Sequence, residues 1–295
     1  MTLSGYEDAE SAGVVLAEKS DYFTKVRLLV DVGVPAKPRR PIYYVSSETA
    51  DIGISHAPEV VLAQERGAPI VAVGSVISQP TIAMIWLRKS RIDNIAGLKG
   101  KTIGYPGLPF QKAFLQSVLA RKGLTLDDVK LKRVGYKLVP ALADGRVDAI
   151  FGGSWTHEGI DLKLRGLQPV ITKARSLGLP AYDELVVITK PGRLLKNPQS
   201  VRNFMSALAE STVAAVESPK AAIRAIELGQ EQDPEASREV TEAEIKATFP
   251  LLSKDGYMDP RRASHLVDWM YEEGMIQRKP RVSKLFTNRY LKLQS

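Results

Sequence analysis

Cysteine is absent from the 295-residue sequence. That excludes a catalytic thiol, a thiolate-held zinc ion, an iron–sulfur cluster and a disulfide framework, and it does not choose between oxidising and reducing surroundings. Only three histidines occur, His56, His157 and His265. They are too far apart for a zinc-binding helix, so no metal and no other cofactor is expected. No apolar run reaches the roughly 18 residues that would span a bilayer. Met1-Thr2-Leu3-Ser4 lacks the basic flank and apolar stretch of an export signal, so the sequence as it stands is expected to carry none. No Gly-x-Ser-x-Gly elbow supports a serine hydrolase. Gly97-Leu98-Lys99-Gly100-Lys101-Thr102 has two residues between its glycines where a phosphate loop has four, and it precedes a strand pattern, so it reads as a turn.

What is present is the composition of a folded globule, with 44% hydrophobic and 25% charged residues. The length points to two domains, each able to bury a core, and to a cleft between them. The net charge of +8 raises the question of nucleic acid, but it is unevenly spread. Ile276 to Ser295 holds six cations (Arg278, Lys279, Arg281, Lys284, Arg289, Lys292) and no acid, which leaves the rest of the chain nearly neutral. A basic terminal segment reads as a solvated end or a loose contact with anionic lipid. Base recognition needs a structured element in a groove, so no nucleic-acid partner is expected.

Short Val- and Ile-rich runs alternate with helical patterns, as in βαβ units. Strands are expected at Lys25 to Val30, Asp51 to Ser55, Ile70 to Val76, Lys101 to Tyr105, Lys130 to Val134, Asp148 to Gly152 and Leu185 to Thr189. A helix over Pro109 to Lys122 is marked by Phe110, Ala113, Phe114 and Val118 on one face and by Gly123 at its end. After Thr189 helices dominate: one begins at Asn197-Pro198, and others are expected around Pro219 to Leu228, Glu242 to Thr248 and Pro260 to Gly274. The fold class is therefore α/β with a helical C-terminal third.

In open α/β sheets ligands collect at the carboxyl ends of strands, where loops and helix N-termini turn backbone N–H groups toward the crevice. The segments at those ends are His56-Ala57-Pro58-Glu59, Ser78-Gln79-Pro80, Gly104 to Pro109, and Gly153-Ser154-Trp155-Thr156-His157-Glu158-Gly159. In the last, Trp155 offers a flat ring for stacking and Glu158 an acceptor for ring or exocyclic N–H groups; core packing of the ring and a solvated acid are the alternative. Gly104 to Pro109, with Tyr105 and Gly107, serves equally as a ligand loop or an ordinary turn. Glu184, in Tyr182-Asp183-Glu184-Leu185, places a carboxylate at the mouth of the last strand.

Taken in order, these segments resemble the extracytoplasmic substrate-binding proteins of ABC transporters, in the family similar to thiamine-pyrimidine synthesis proteins. The resemblance runs from Met1 to about Leu228. It rests above all on Leu98 to Gly104, Gly123-Leu124 with Asp127-Asp128-Val129, Val134-Gly135-Tyr136, Leu138 to Leu142, Gly145 to Ala149, Gly152 to Gly159 and Tyr182 to Leu185. It is nearest to binders of thiamine pyrimidine precursors. It implies a two-lobed periplasmic-binding-protein-like fold (type II), with residues 1–83 and 188–295 in one lobe, 84–187 in the other, and crossing segments near Thr81 to Leu87 and Leu185 to Lys190. It further implies a monomeric receptor outside the cytoplasmic membrane, periplasmic or lipid-anchored, that delivers a small nitrogen heterocycle to a permease and breaks no bond.

The ligand residues expected from residues and resemblance together are Tyr6, Asp8, His56 and Gln79 in the first lobe and Tyr105, Gly107, Trp155, Glu158 and Glu184 in the second. The family's first strand usually ends in Asp-Trp-x-x-Asn-x-x-His-Ala-Gly. Counted back from Ala12-Gly13, those positions hold Ser4, Gly5, Asp8 and Ser11, so the stacking Trp, the Asn and the His are missing. Tyr6 and the acids Glu7, Asp8 and Glu10 stand in that region, which keeps riboflavin or an amine-rich solute open as ligands. An enzyme or an effector domain on the same fold is the remaining alternative. The family's eukaryotic enzymes need a cysteine-rich iron motif that this chain lacks, and a repressor would need a DNA-binding helical module.

Overall fold

Three runs in this sequence are predominantly apolar without alternation: Val71–Ile77, Ile82–Leu87 and Leu185–Thr189. In the computed structural model, which describes residues 1–5, 7–35, 40–230 and 238–292, all three are strands buried along their whole length. Continuous apolar character is what a strand covered on both faces requires. The described residues divide into two compact units. Those of Met1–Gln79, together with those from Tyr182 onward, form the first, and Pro80–Ala181 form the second.

The first unit begins with helices α1 (Ala12–Lys19), α2 (Tyr22–Lys25) and α3 (Arg40–Ser46), then β1 (Ile52–His56), α4 (Ala57–Glu65) and β2 (Val71–Ile77). The chain passes through the second unit as β3 (Ile82–Leu87), β4 (Thr102–Tyr105), α5 (Pro109–Ala120), β5 (Lys130–Arg133), α6 (Leu138–Ala143), β6 (Ala149–Ser154), α7 (Glu158–Leu164) and β7 (Pro169–Lys173). It returns to the first with β8 (Leu185–Thr189). Six helices follow: α8 (Pro191–Lys196), α9 (Pro198–Glu217), α10 (Pro219–Gln230), α11 (Arg238–Thr248), α12 (Pro260–Glu272) and α13 (Val282–Leu285).

The first sheet has the order β1-β8-β2, with β8 antiparallel to both neighbours. The second has the order β5-β4-β6-β3-β7; β4 runs parallel to β5 and β6, and β3 antiparallel to β6 and β7. Register shifts between Ala72 and Gly74 and between Ser75 and Ile77 mark bulges in β2, a device that re-aims side chains near a strand end. Helices α1 and α9 pack so closely that a Cβ on Gly13 would strike the Thr212 side chain, and Ser211 Oγ donates to Gly13 O at 2.8 Å.

The α/β class and the helical C-terminal third agree with the sequence reading, and α9 starts where it was expected, with Asn197 Oδ1 accepting from Ser200 N–H at 3.1 Å. One expectation is corrected. Lys25 to Val30 is not a strand: α2 ends at Lys25, Arg27 lies in the left-handed region (φ 59°), and Leu29 is 97% exposed. The run was apolar enough for a strand but has no sheet partner to cover it. The segments read as crossings, Thr81 to Leu87 and Leu185 to Lys190, contain β3 and β8. The boundaries between units fall at 79/80 and 181/182. Strand β7 had no counterpart in the sequence reading. It is a short, half-buried edge strand beginning at a proline, which weakens its apolar signal.

Replacement of Gly13 by Val forces a branched side chain between α1 and α9. A loss of about 1–3 kcal/mol is expected, as in other overpacked contacts, read as a lowered urea midpoint with unchanged slope.

Candidate functional site

At the start of β8 three consecutive polar residues, Tyr182, Asp183 and Glu184, are buried to 1, 6 and 2% exposure. Because β8 is the central strand, side chains there meet partners from both neighbours. Toward β1, Glu184 Oε1 accepts from His56 Nδ1 at 2.9 Å, and Tyr182 Oη donates to Glu184 Oε2 at 3.3 Å. Toward β2, Ser75 Oγ donates to Asp183 Oδ1 at 2.8 Å. Ser75 N–H donates to Gly256 O at 2.7 Å, and Arg262 donates to Ser78 O at 2.9 Å. His56 ends β1 immediately before α4, whose backbone begins with Ala57 N–H donating to Glu184 O at 3.3 Å.

Burial alone would discharge His56. The hydrogen bond and charge of Glu184, reinforced by Glu59 and Glu10, outweigh it and hold the imidazole pKa above its ordinary value. Tyr182 is driven well above the ordinary phenol range by burial, then by the Glu184 charge and hydrogen bond, so it remains a donor. Burial raises Asp183 to about 6; the Ser75 hydrogen bond and the Arg262 charge hold it down, while Asp259 adds to the rise.

In the second unit the polar groups collect at the ends of two neighbouring parallel strands, β4 and β6. Gln111, buried in the first turn of α5, accepts from Leu108 N–H at 3.0 Å through Oε1 and donates to Gly152 O at 3.1 Å through Nε2, tying the two strand-end turns together. Gly152 has φ +89°, and a Cβ there would collide with the Gln111 amide. Past this point Glu158 folds back so that Oε2 accepts from Ser154 N–H at 2.6 Å, and the Ser154 and Thr156 hydroxyls lie 2.7 Å apart.

Trp155 is half-buried against the cluster of Leu138, Leu162, Ile150 and their neighbours, and Lys173 Nζ sits 3.2 Å from its ring centroid. Burial, then the Lys163 charge, lower the Lys173 pKa. Tyr105 is half-buried at the end of β4, and Gly107 (φ +101°) packs against Arg133.

The expected residues thus fall into two groups: His56 with Glu184 in the first unit, and Tyr105, Gly107, Trp155 and Glu158 at or just after the ends of β4 and β6 in the second. Glu184 was assigned to the second lobe from sequence and belongs to the first unit. Asp8 Oδ1 is engaged by Glu10 and Ser11 N–H groups at 3.0 and 3.2 Å, organising the turn into α1. Gln79 is exposed in a bend, and Tyr6 lies outside the described residues. Sequence reasoning missed Gln111, Lys173, Ser75 and Arg262; only Tyr182, inside the quoted Tyr-Asp-Glu-Leu segment, carried a signal. Among the described residues no three His, Asp or Glu side chains converge as a metal site would.

A family model described as NMT1/THI5 like matches residues 8–222. A Haemophilus influenzae protein named for thiamine biosynthesis is 30% identical over 275 residues, covering 93% of this chain and 86% of its own. The formylaminopyrimidine-binding protein of Halalkalibacterium halodurans is 30% identical over 252 residues, 85% and 72% of the two chains. A Schizosaccharomyces pombe 4-amino-5-hydroxymethyl-2-methylpyrimidine phosphate synthase is 23% identical over 274 residues, 89% and 78%. Among solved structures, the alkanesulfonate-binding protein SsuA of Xanthomonas axonopodis superposes with a TM-score of 0.76 over 97% of both chains at 18% identity, which establishes a shared fold.

Both Asp183 and His56 bind protons more tightly in the folded chain, so both remove stability as pH rises. The Asp183 contribution is complete below about 4 and lost through about 6; the His56 contribution is complete below 6.5 and lost through its raised value. For Asp183 the span is worth at most about 3 kcal/mol. Melting temperature against pH should fall across both windows; Asp183→Asn should flatten the lower one and His56→Gln the upper.

Proposed function

The chain belongs to the NMT1/THI5-like family, and we propose that within it this protein is the solute receptor of an ABC importer, capturing a small nitrogen heterocycle of the aminopyrimidine class and delivering it unchanged to a permease. The observation that carries this reading is Glu184, a buried carboxylate oriented by His56 on one oxygen and Tyr182 on the other. An exocyclic amine or ring N–H is the partner such an acceptor recognises, and burial strengthens that bond relative to water. The 30% identity to a protein named for formylaminopyrimidine binding points to the same chemistry.

In this reading Trp155 and Glu158 supply the second unit's share. Lys173 occupies one face of the indole, so a planar ring stacks on the other, and Glu158 holds the turn that presents the ring. Tyr105, Gly107 and Gln79 remain candidate contacts, as does Tyr6. The protein acts outside the cytoplasmic membrane as a monomer that docks on its permease.

A synthase is the second reading, favoured by the resemblance to the fission yeast enzyme. Against it stands the lack of any cysteine for the iron motif that the family's enzymes need. The two separate on one experiment. Incubation with 4-amino-5-hydroxymethyl-2-methylpyrimidine should raise the melting temperature and return the compound intact by mass spectrometry; a compound returned chemically altered would establish an enzyme instead.

Calorimetric titration with the same compound should show Glu184→Gln weakened more than ten-fold, the scale of a charged hydrogen bond. Trp155→Ala should bind several-fold more weakly, about 1 kcal/mol of stacking. Unchanged affinity in both variants removes them from the site, and loss of fold in Trp155→Ala assigns that ring to the core.

A further inference from the structure

On the first unit, away from His56 and Glu184, a cavity of about 610 Å³ opens beside the edge of β2. Its base is Val71 and Phe286; the latter bridges the free edge of β2 at Ala72, where Thr287 N–H donates to Ala72 O at 2.9 Å. One wall is the start of α8, with Leu194 and the 85%-exposed Leu195. The opposite side is the Gly67-Ala68-Pro69 turn after α4, and Tyr290 closes the end under the Arg202 guanidinium, 5.2 Å from its ring. The volume falls in the range of small-molecule sites, about 300–1,000 Å³.

The charges lining it are one-sided. Lys284 and Arg289 face the cavity, and no Asp or Glu lines it. The cations on the far side of α8 are matched: Lys190 pairs with Glu48 and Arg193 with Asp51. Among the described residues neither Lys284 nor Arg289 has an ion-pair partner. Apolar walls with two unmatched cations define a ligand with an apolar body and one anionic head. The concave form favours a discrete molecule over a flat bilayer, which a protruding apolar tip would suit better.

We propose that this cavity binds a small amphipathic anion, a carboxylate, sulfonate or phosphate carried on a ring or short chain. Its head would lie between Lys284 and Arg289, and its body against Leu194, Leu195 and Phe286. The inference is independent of the importer reading, since it uses none of the residues assigned there.

The test is a fluorescence titration of the full chain with 8-anilinonaphthalene-1-sulfonate, followed by displacement with octanoate, octylamine or 1-octanol. Octanoate should displace the dye and the two other octyl compounds should not. The Lys284→Gln/Arg289→Gln double variant should bind about ten-fold more weakly. Leu195→Glu, a change at an exposed rim position that leaves folding intact, should also weaken binding. Equal displacement by octylamine or octanol, or full affinity in the double variant and in Leu195→Glu, overturns the proposal. So does co-sedimentation with phosphatidylglycerol vesicles without any binding of monomeric octanoate, which would mark a membrane-adsorbing surface. Retained affinity of the double variant for 4-amino-5-hydroxymethyl-2-methylpyrimidine separates this site from the importer site.

Discussion

The first unit turns on the cost of burying three polar residues at the head of its central strand. Tyr182, Asp183 and Glu184 immediately precede β8, whose residues are all buried and, up to Thr189, apolar. A carboxylate in such a place must be hydrogen-bonded or neutralised. Partners from both neighbouring strands supply the solution. Glu184 turns toward β1 and finds His56, while Asp183 turns toward β2 and finds Ser75. The bulges in β2 are part of the same solution, because they seat Ser75 against both Asp183 and the Gly256 loop. These bonds lie where the chain re-enters the first unit, so the geometry of that entry and the chemistry of the candidate site are one feature.

The second unit reaches a comparable result by other means. Here one neutral side chain, Gln111, joins the turn after β4 to the end of β6, and the Glu158 carboxylate is spent on the Ser154 backbone N–H group four residues before it. Trp155 is fixed by its packing on the hydrophobic cluster and by Lys173 across one face of its ring.

Much of the candidate site was legible in the sequence because strand ends are. Apolar runs followed by Gly, Pro and polar residues located His56, Trp155, Glu158 and Glu184 at the correct ends of β1, β6 and β8. What escaped was partnership. Nothing at position 173 announces that its ammonium will cover an indole, and nothing around Ser75 or Arg262 announces a buried aspartate 100 or so residues away. The stretches misread were those whose local pattern is neutral about tertiary context. Lys25 to Val30 looks like a strand and lacks a sheet to join, and the half-buried edge strand β7 gave too weak an apolar pattern to be read.

By itself the chain's order of apolar runs, turn residues and caps determined the α/β class, the helical C-terminal third and the strand-end positions of the acids and the tryptophan, since periodicity and turn chemistry are local properties. Only the tertiary structure decided that Glu184 belongs with His56 in the first unit, that one face of Trp155 is taken by Lys173, and that Lys284 and Arg289 stand without acids beside an apolar hollow. Those facts depend on which distant residues pack together, and burial and charge pairing are properties of that packing.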